Sequence, residues 1–285
     1  MTTWTYTLEK ALLAALAEDI GDGDHSTIAS IDPDARGEAV LLVKQTAVMA
    51  GLDIVRHLFS ITDYQAHFHS VLKDGEEAKQ GTVAFTVQAS VHALLKTERL
   101  ALNILQRMSG IATQTRRYSK QLVGTKARLL DTRKTTPNFR LFEKEAVRIG
   151  GGHNHRFGLY DMIMLKDNHI DFCGSIEKAL ERAKQYVQRV KPELKIEIET
   201  RSLDDVLRVL HVGGAHRIML DNFSPEDVQK AVELIGDAAE TEASGGIHYD
   251  NIRAYATTGV QYISCGAIIH QATAVDMSLK ARTLT

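Results

Sequence analysis

Two cysteines, four prolines, one tryptophan and a formal charge of −2 in 285 residues remove several functional classes at once. Cys173 and Cys265 stand far apart without CxxC spacing, which excludes a disulfide framework and fits reduced thiols in the cytoplasm. Acidic residues number 36 and basic residues 34, too even a balance for the extended basic face that nucleic acid requires. No apolar run approaches the roughly 20 residues needed to span a bilayer. The amino-terminal stretch MTTWTYTLEKALLAALAED lacks a basic leader and carries acids after its short apolar run, so it reads as an amphipathic helix and not as a signal peptide. A hydrophobic fraction of 44% and a charged fraction of 25% are ordinary for a globular chain. At this length the core needs no disulfide or metal staple, and one large domain, or one large and one small, can form.

The first third reads as a small mixed domain. A helix from about Leu8 to Glu18 stops at Gly21-Asp22-Gly23-Asp24. Strand-like runs at Gly37–Lys44 and Thr82–Ala89 flank a helix near Leu52–Phe59, with turns at Asp74-Gly75 and Gln80-Gly81. Leu94 to Val123 is helical in pattern, with a break or kink expected at Ser109-Gly110. After Gly124 the rhythm changes. Six short apolar runs, Ala127–Asp131, Met162–Lys166, Lys195–Thr200, Arg217–Asn222, Glu240–Gly246 and Tyr262–Gly266, each end in polar residues. Helical patterns over Ser175–Val190, Leu203–Leu210, Pro225–Ile235 and Tyr249–Thr257 separate several of them. Near-continuous apolar strands alternating with helices predict a parallel sheet covered by helices, closed or nearly closed into an α/β barrel. Such a barrel carries its chemistry at the C-terminal ends of its strands.

Those ends hold what the composition concentrates. Arg133, Lys134, His155, Arg156 and Lys166 lie among glycines and turn residues between Asp131 and His169, in a chain with almost no net charge. A local cation cluster of this kind implies a small ligand with several negative charges. Arginine offers a planar fork and lysine a point charge, so the mixture suits more than one kind of anionic group. Glu197 and Glu199 alternate with Ile196 and Ile198 and therefore share one face of a strand, where burial is costly without partners. Glu199 and Asp221, at neighbouring strand ends, are expected to hold Mg²⁺ through water or to stabilise a developing cation. Ser244-Gly245-Gly246 and Cys265-Gly266-Ala267 expose backbone N–H groups where barrels commonly bind phosphate. His153, His155 and His169 lack zinc spacing, and Asp19, Asp22 and Asp24 lack the order of a calcium loop.

With these strings in place the chain resembles the bacterial quinolinate phosphoribosyltransferases, the decarboxylating enzymes of NAD biosynthesis. The resemblance is carried by Thr97-Glu98-Arg99, Leu105–Thr113, Asp131–Pro137, Asn154-His155-Arg156, Gly158–Asp161, Lys166–His169, Leu220–Phe223 and Ser244-Gly245-Gly246. It implies an N-terminal α/β sandwich over residues 1–112, an open-sided α/β barrel over 113–272, and a tail, 273–285, that returns to the first domain. It implies that Thr132, Arg133, His155, Arg156 and Lys166 line a quinolinate pocket, with Arg99 donated by the partner of a homodimer, and that dimers can assemble into hexamers. Lys134, Ser244, Gly245, Gly246, Cys265, Gly266 and Ala267 are expected around the phosphates of phosphoribosyl pyrophosphate. Glu199 and Asp221, with Mg²⁺, are expected at the ribose, and Lys134 and Lys166 join them as the catalytic set. The chain departs from the family pattern at His153 and at Asn138, where many relatives carry glycine. Two other readings keep the barrel: a Schiff-base aldolase using Lys166, and a related phosphoribosyltransferase-fold paralogue of the molybdate-transport type.

Overall fold

A computed structural model describes residues 3–282, which fall into two compact units. The first contains the chain up to Arg116, the segment Thr135–Gly151 and the chain from Gln271; the second contains Arg117–Lys134 and Gly152–His270.

In the first unit, helices α1 (Thr3–Ile20) and α2 (His25–Ser30) precede strands β1 (Arg36–Val43) and β2 (Ala47–Val48). Helix α3 (Leu52–Thr62) and strands β3 (His67–Ser70), β4 (Glu77–Ala78) and β5 (Val83–Ser90) follow. The last described strand of the chain, Met277–Arg282 (β12 in chain order), runs antiparallel to β1 and completes a four-stranded sheet ordered β12-β1-β5-β3. Alternation along β1 buries Ala39, Leu41 and Val43, with Val87 and Phe85 of β5 opposite Ala39 and Leu41, while α3 buries its own apolar face, including Leu58 and Phe59. The sequence does not announce β12, because its basic residues mask a half-buried edge strand.

Helix α4 (Val91–Gln121) begins in this unit and runs without interruption through Ser109-Gly110. The expected break is therefore absent. Gly110 is small for another reason: a Cβ there would collide with the backbone oxygen of Thr273. The expected barrel span is also interrupted. Helix α5 (Arg140–Ile149) groups with the first unit because its Glu143, fully buried, takes two hydrogen bonds from Arg107 of α4, at 2.9 and 2.8 Å. The same carboxylate accepts the Thr136 N–H at 2.8 Å. Asn138 adopts φ 61°, a left-handed conformation that asparagine tolerates better than most residues and glycine better still. That is a physical reason for asparagine at this position.

The second unit is a six-stranded parallel sheet ordered β6-β11-β10-β9-β8-β7, open between β6 and β7. Its strands are β6 (Arg128–Leu130), β7 (Ile163–Leu165), β8 (Ile196–Thr200), β9 (Arg217–Asp221), β10 (Glu240–Ser244) and β11 (Tyr262–Ser264). Helices α6 (Asp167–Cys173), α7 (Ile176–Val190), α8 (Leu203–Val212), α9 (Pro225–Ile235), α10 (Ile252–Ala256) and α11 (Ala267–His270) alternate with them. Ser175, Ser202 and Ser224 cap α7, α8 and α9 by accepting backbone N–H groups, so the serines fix where these helices begin. Among the described residues no helix is long and apolar enough to cross a membrane.

Candidate active site

Register places the acids and bases of the second unit in layers on one face of its sheet. Glu197 pairs with Arg217 and Arg217 with Glu240; one layer higher, Glu199 pairs with Met219 and Met219 with Glu242. Above these, Asp221 pairs with Ser244 at the C-terminal strand ends. Because side chains alternate along a strand, all these residues share a face.

The two layers nearest the mouth contain the expected carboxylates, Glu199 in the lower and Asp221 in the upper. Glu199 is buried, and its Oε2 lies 3.2 Å from Nζ of the exposed Lys166. Lys166 caps α6, and its N–H donates to Nδ1 of His169 at 3.0 Å, so His169 serves loop geometry. Asp221 is followed by Asn222, which adopts φ 58° and donates its N–H to the Ser244 oxygen at 2.9 Å. Gly245 lies so close that a Cβ would stand 2.7 Å from the Asn222 nitrogen. Together these contacts bring Asp221 beside the Ser244-Gly245-Gly246 turn. At Gly266 a Cβ would stand 2.9 Å from Cδ of Lys134, a flexible side chain that can shift, so Lys134 lies over the end of β11 without making the glycine obligatory.

The cationic rim comes from two loops. Thr132 accepts the Lys134 N–H at 3.0 Å, shaping the turn that exposes Arg133 and Lys134. Asp131, fully buried, accepts from Asn154 Nδ2 at 2.6 Å and from the His155 N–H at 2.8 Å. It thereby fastens the second loop to the end of β6, beside the Leu130–His153 bridge. Arg156 is half-buried. Its guanidinium is pushed below the ordinary value, first by burial and then by the charge of Arg133. Two arginines from separate loops thus converge closely enough to repel, an arrangement that a bound anion relieves.

Three expected site residues turn inward. Cys265 is 1% exposed, its thiol pointing at the Ile247 oxygen at 3.2 Å and its N–H donating to Leu130, so its own polar groups are engaged below the mouth. Ala267 is buried at the start of α11. His155, only 8% exposed, places Nε2 3.1 Å from Glu197 Oε2 and 3.4 Å from Glu242 Oε2. Burial alone would lower the ring's pKa, but bonds to Glu197 and Glu242 and the charge of both acids outweigh it and push it up to about 9. The Arg156 N–H meets Nδ1, the ring nitrogen turned away from the two acids, at 2.6 Å. Burial, then the Glu242 charge, pushes the Glu197 carboxyl upward. His155, Glu197 and Glu242 therefore titrate as one cluster.

Arg217 completes the cluster, its Nη1 2.8 Å from Glu242 Oε2. His155, Glu197 and Glu242 stand close enough together to hold a metal ion, but Arg217 already supplies the cation there. Arg99 lies exposed on α4 in the first unit. Sequence reasoning passes over Asp131, Arg217 and Glu242 as site residues. A usable signal exists: the alternation argument applied to Glu197 and Glu199 flags any charged residue inside these apolar strands.

Residues 111–280 match the family described as "Quinolinate phosphoribosyl transferase, C-terminal domain", and residues 24–109 match the corresponding N-terminal domain. The chain belongs to the quinolinate phosphoribosyltransferase family. It is 40% identical to quinolinate phosphoribosyltransferase (decarboxylating) 1b of Nicotiana tabacum, over 98% of this chain and 83% of that one. It is 42% identical to a probable nicotinate-nucleotide pyrophosphorylase (carboxylating) of Bacillus subtilis, over 95% of this chain and 92% of that one. The crystal structure of NadC from Streptococcus pyogenes superposes with a TM-score of 0.91 at 39% identity, covering 98% of both chains. Its N-terminal antiparallel sheet and C-terminal six-stranded parallel α/β arrangement are thus those of solved quinolinate phosphoribosyltransferase-family structures. Plant members of the family include forms named mitochondrial and chloroplastic.

Proposed function

We propose that the rim formed by Arg133, Arg156 and Lys166 binds the two adjacent carboxylates of quinolinate. The activity is that of the family: phosphoribosyl passes from phosphoribosyl pyrophosphate to quinolinate with loss of CO₂, giving nicotinate mononucleotide and pyrophosphate in de novo NAD biosynthesis. The enzyme is a pentosyltransferase. The observation that carries the assignment of the pocket is that Asp131, two residues before Arg133, accepts from Asn154 and the His155 N–H and so brings the Arg156 loop to the same strand end, where the two like charges repel. A dianionic substrate offsets that repulsion, and bidentate contacts orient its ring.

Lys134 and the turns at Ser244-Gly245-Gly246 and Gly266 hold the phosphates, with the glycines admitting close backbone approach. The pyridine nitrogen attacks the ribose C1 as the bond to pyrophosphate breaks. Positive charge develops on the sugar, and the Glu199 and Asp221 carboxylates are placed to stabilise it. The product nitrogen is cationic and withdraws the electron pair left when the neighbouring carboxylate departs as CO₂; that carbon then takes up a proton. No covalent nucleophile is required.

Glu199 and Asp221 fit Mg²⁺, which takes one or two carboxylates alongside phosphate oxygens and water. Glu199 and Asp221 would hold the ion, with Lys166 Nζ 3.2 Å from Glu199 Oε2 beside it. When bound, Mg²⁺ neutralises the leaving pyrophosphate. Exposed Leu159, Tyr160 and Phe172 in the second unit, and exposed Arg99 in the first, support a homodimer in which the partner covers apolar surface and contributes its arginine. Two free thiols fit a reducing compartment, in our reading the cytoplasm. The aldolase alternative loses support because residues 24–109 and 111–280 match the two domains of the quinolinate phosphoribosyltransferase family.

The pocket assignment is tested by a pair of variants. Arg156→Ala should raise the quinolinate KM, with about 2–3 kcal/mol of binding lost. Glu199→Ala should lower kcat on the order of 10²–10³-fold with less effect on quinolinate binding. Equal effects of both variants on both parameters would dissolve the division of labour proposed here.

A further inference from the structure

We propose that Glu242 and Arg217 are positioning residues for the substrate grip: they anchor the His155 ring, and the ring anchors the main chain of Arg156. The proposal rests on the reading of Arg156 as a quinolinate ligand.

The chain of contacts starts deep in the sheet. Arg217 of β9 gives Nε and Nη2 to Glu240 Oε2 at 3.1 and 3.0 Å and Nη1 to Glu242 Oε2 at 2.8 Å. Its guanidinium carbon lies 4.0 Å from the centre of the Tyr262 ring, so three neighbours fix its plane. Glu242, fully buried on β10, is thereby held with Oε2 3.4 Å from His155 Nε2. Glu197 of β8 meets the same nitrogen at 3.1 Å from another strand. The imidazole is clasped on its inner edge, while its outer nitrogen, Nδ1, accepts the Arg156 N–H at 2.6 Å. Asp131 takes the N–H of His155 itself. Successive amides of the loop are therefore tied to groups that cannot move, and the Arg156 guanidinium starts from a fixed backbone, with Nη1 3.3 Å from the Met162 oxygen.

Stability alone gives a poor account of this cluster. A buried ionic network is commonly no better a stabiliser than apolar side chains of the same volume. The other face of these strands shows that apolar packing is available here: Ile196, Ile198, Ile218, Leu220, Ala243 and Ile263 are all buried. What a network of directional bonds adds is a single geometry, and its outer end is the arginine of the rim. His155 thus serves the pocket from beneath.

The test uses the assembled full-length enzyme. Glu242→Gln keeps the side-chain shape and removes the charge that holds Arg217 and His155. It should raise the quinolinate Kd about tenfold or more, the size expected for losing a hydrogen bond to a charged group. The Kd for phosphoribosyl pyrophosphate should hold, and the His155 ring signals in ¹⁵N-histidine NMR should shift. Unchanged quinolinate affinity in Glu242→Gln, with weakened affinity in Arg156→Ala, overturns the proposal alone. Unchanged affinity in Arg156→Ala overturns the pocket assignment and the proposal with it. If Glu242→Gln does not fold, the double variant Arg217→Met, Glu242→Leu refills the space with apolar groups. That protein should keep its Tm and lose quinolinate affinity; keeping both refutes the positioning role.

Discussion

Asp131→Ala separates the two jobs of the β6 strand end, holding the fold and setting the rim. The native carboxylate is fully buried and accepts from Asn154 Nδ2 at 2.6 Å and from the His155 N–H at 2.8 Å. Alanine removes both acceptors; the exposed Asn154 amide can turn to water, while the buried His155 N–H loses its partner. A buried donor left without its partner costs about 1–3 kcal/mol, which sets the expected loss. Urea unfolding should show the midpoint falling while the slope with denaturant stays constant, the signature of lost stability without a changed unfolded state. In buffer without denaturant, quinolinate titration should show weaker binding, because the loop carrying Arg156 has lost its tether. Binding of phosphoribosyl pyrophosphate, assigned to other strand ends, should change little. A stability loss below about 1 kcal/mol, or equal weakening for both substrates, would refute the tethering role of Asp131.

The shared proton of His155, Glu197 and Glu242 gives a signed pH dependence. A pKa of about 9 lies above the ordinary histidine value of 6.5, so its stabilisation is complete below about 6.5 and lost as pH rises through about 9. Unfolding free energy measured across that window should fall, and a flat profile would remove the proton from the cluster. Chelating divalent cations should abolish turnover while quinolinate still binds in a calorimeter, and Mg²⁺ should restore it. An Arg99→Ala subunit and an Arg156→Ala subunit, each nearly inactive alone, should regain activity on mixing under subunit exchange. Random pairing of equal amounts approaches about a quarter of wild type, since half the dimers are mixed and each has one intact site. No recovery despite proven exchange would assign Arg99 to its own subunit or to no site.

Much of the catalytic unit is legible in the amino-acid sequence. All six apolar runs after Gly124 are parallel strands, because a sheet buried on both faces leaves near-continuous hydrophobic sequence and serines mark the helix starts. Arg133, Lys166, Glu199 and Asp221 are readable because strand ends place them at one rim. Less legible are the features set by long-range contacts. Gly110 looks like a helix break in sequence, yet it is explained by the backbone of Thr273, 163 residues away. Segment Thr135–Gly151 joins the first unit through the Arg107–Glu143 pair, which local patterning does not reveal. His155 carries the same residue type that a pocket ligand needs, and only the strand register shows two acids waiting beneath it.

The most direct test of the central claim is to supply the purified enzyme with phosphoribosyl pyrophosphate, Mg²⁺ and quinolinate labelled in the carboxylate next to the ring nitrogen. The account predicts nicotinate mononucleotide, pyrophosphate and labelled CO₂ in equal amounts, with nicotinate a far poorer acceptor because it lacks the second carboxylate. Equal or better turnover of nicotinate, or nucleotide formed without release of label, would contradict a rim built for a dicarboxylate.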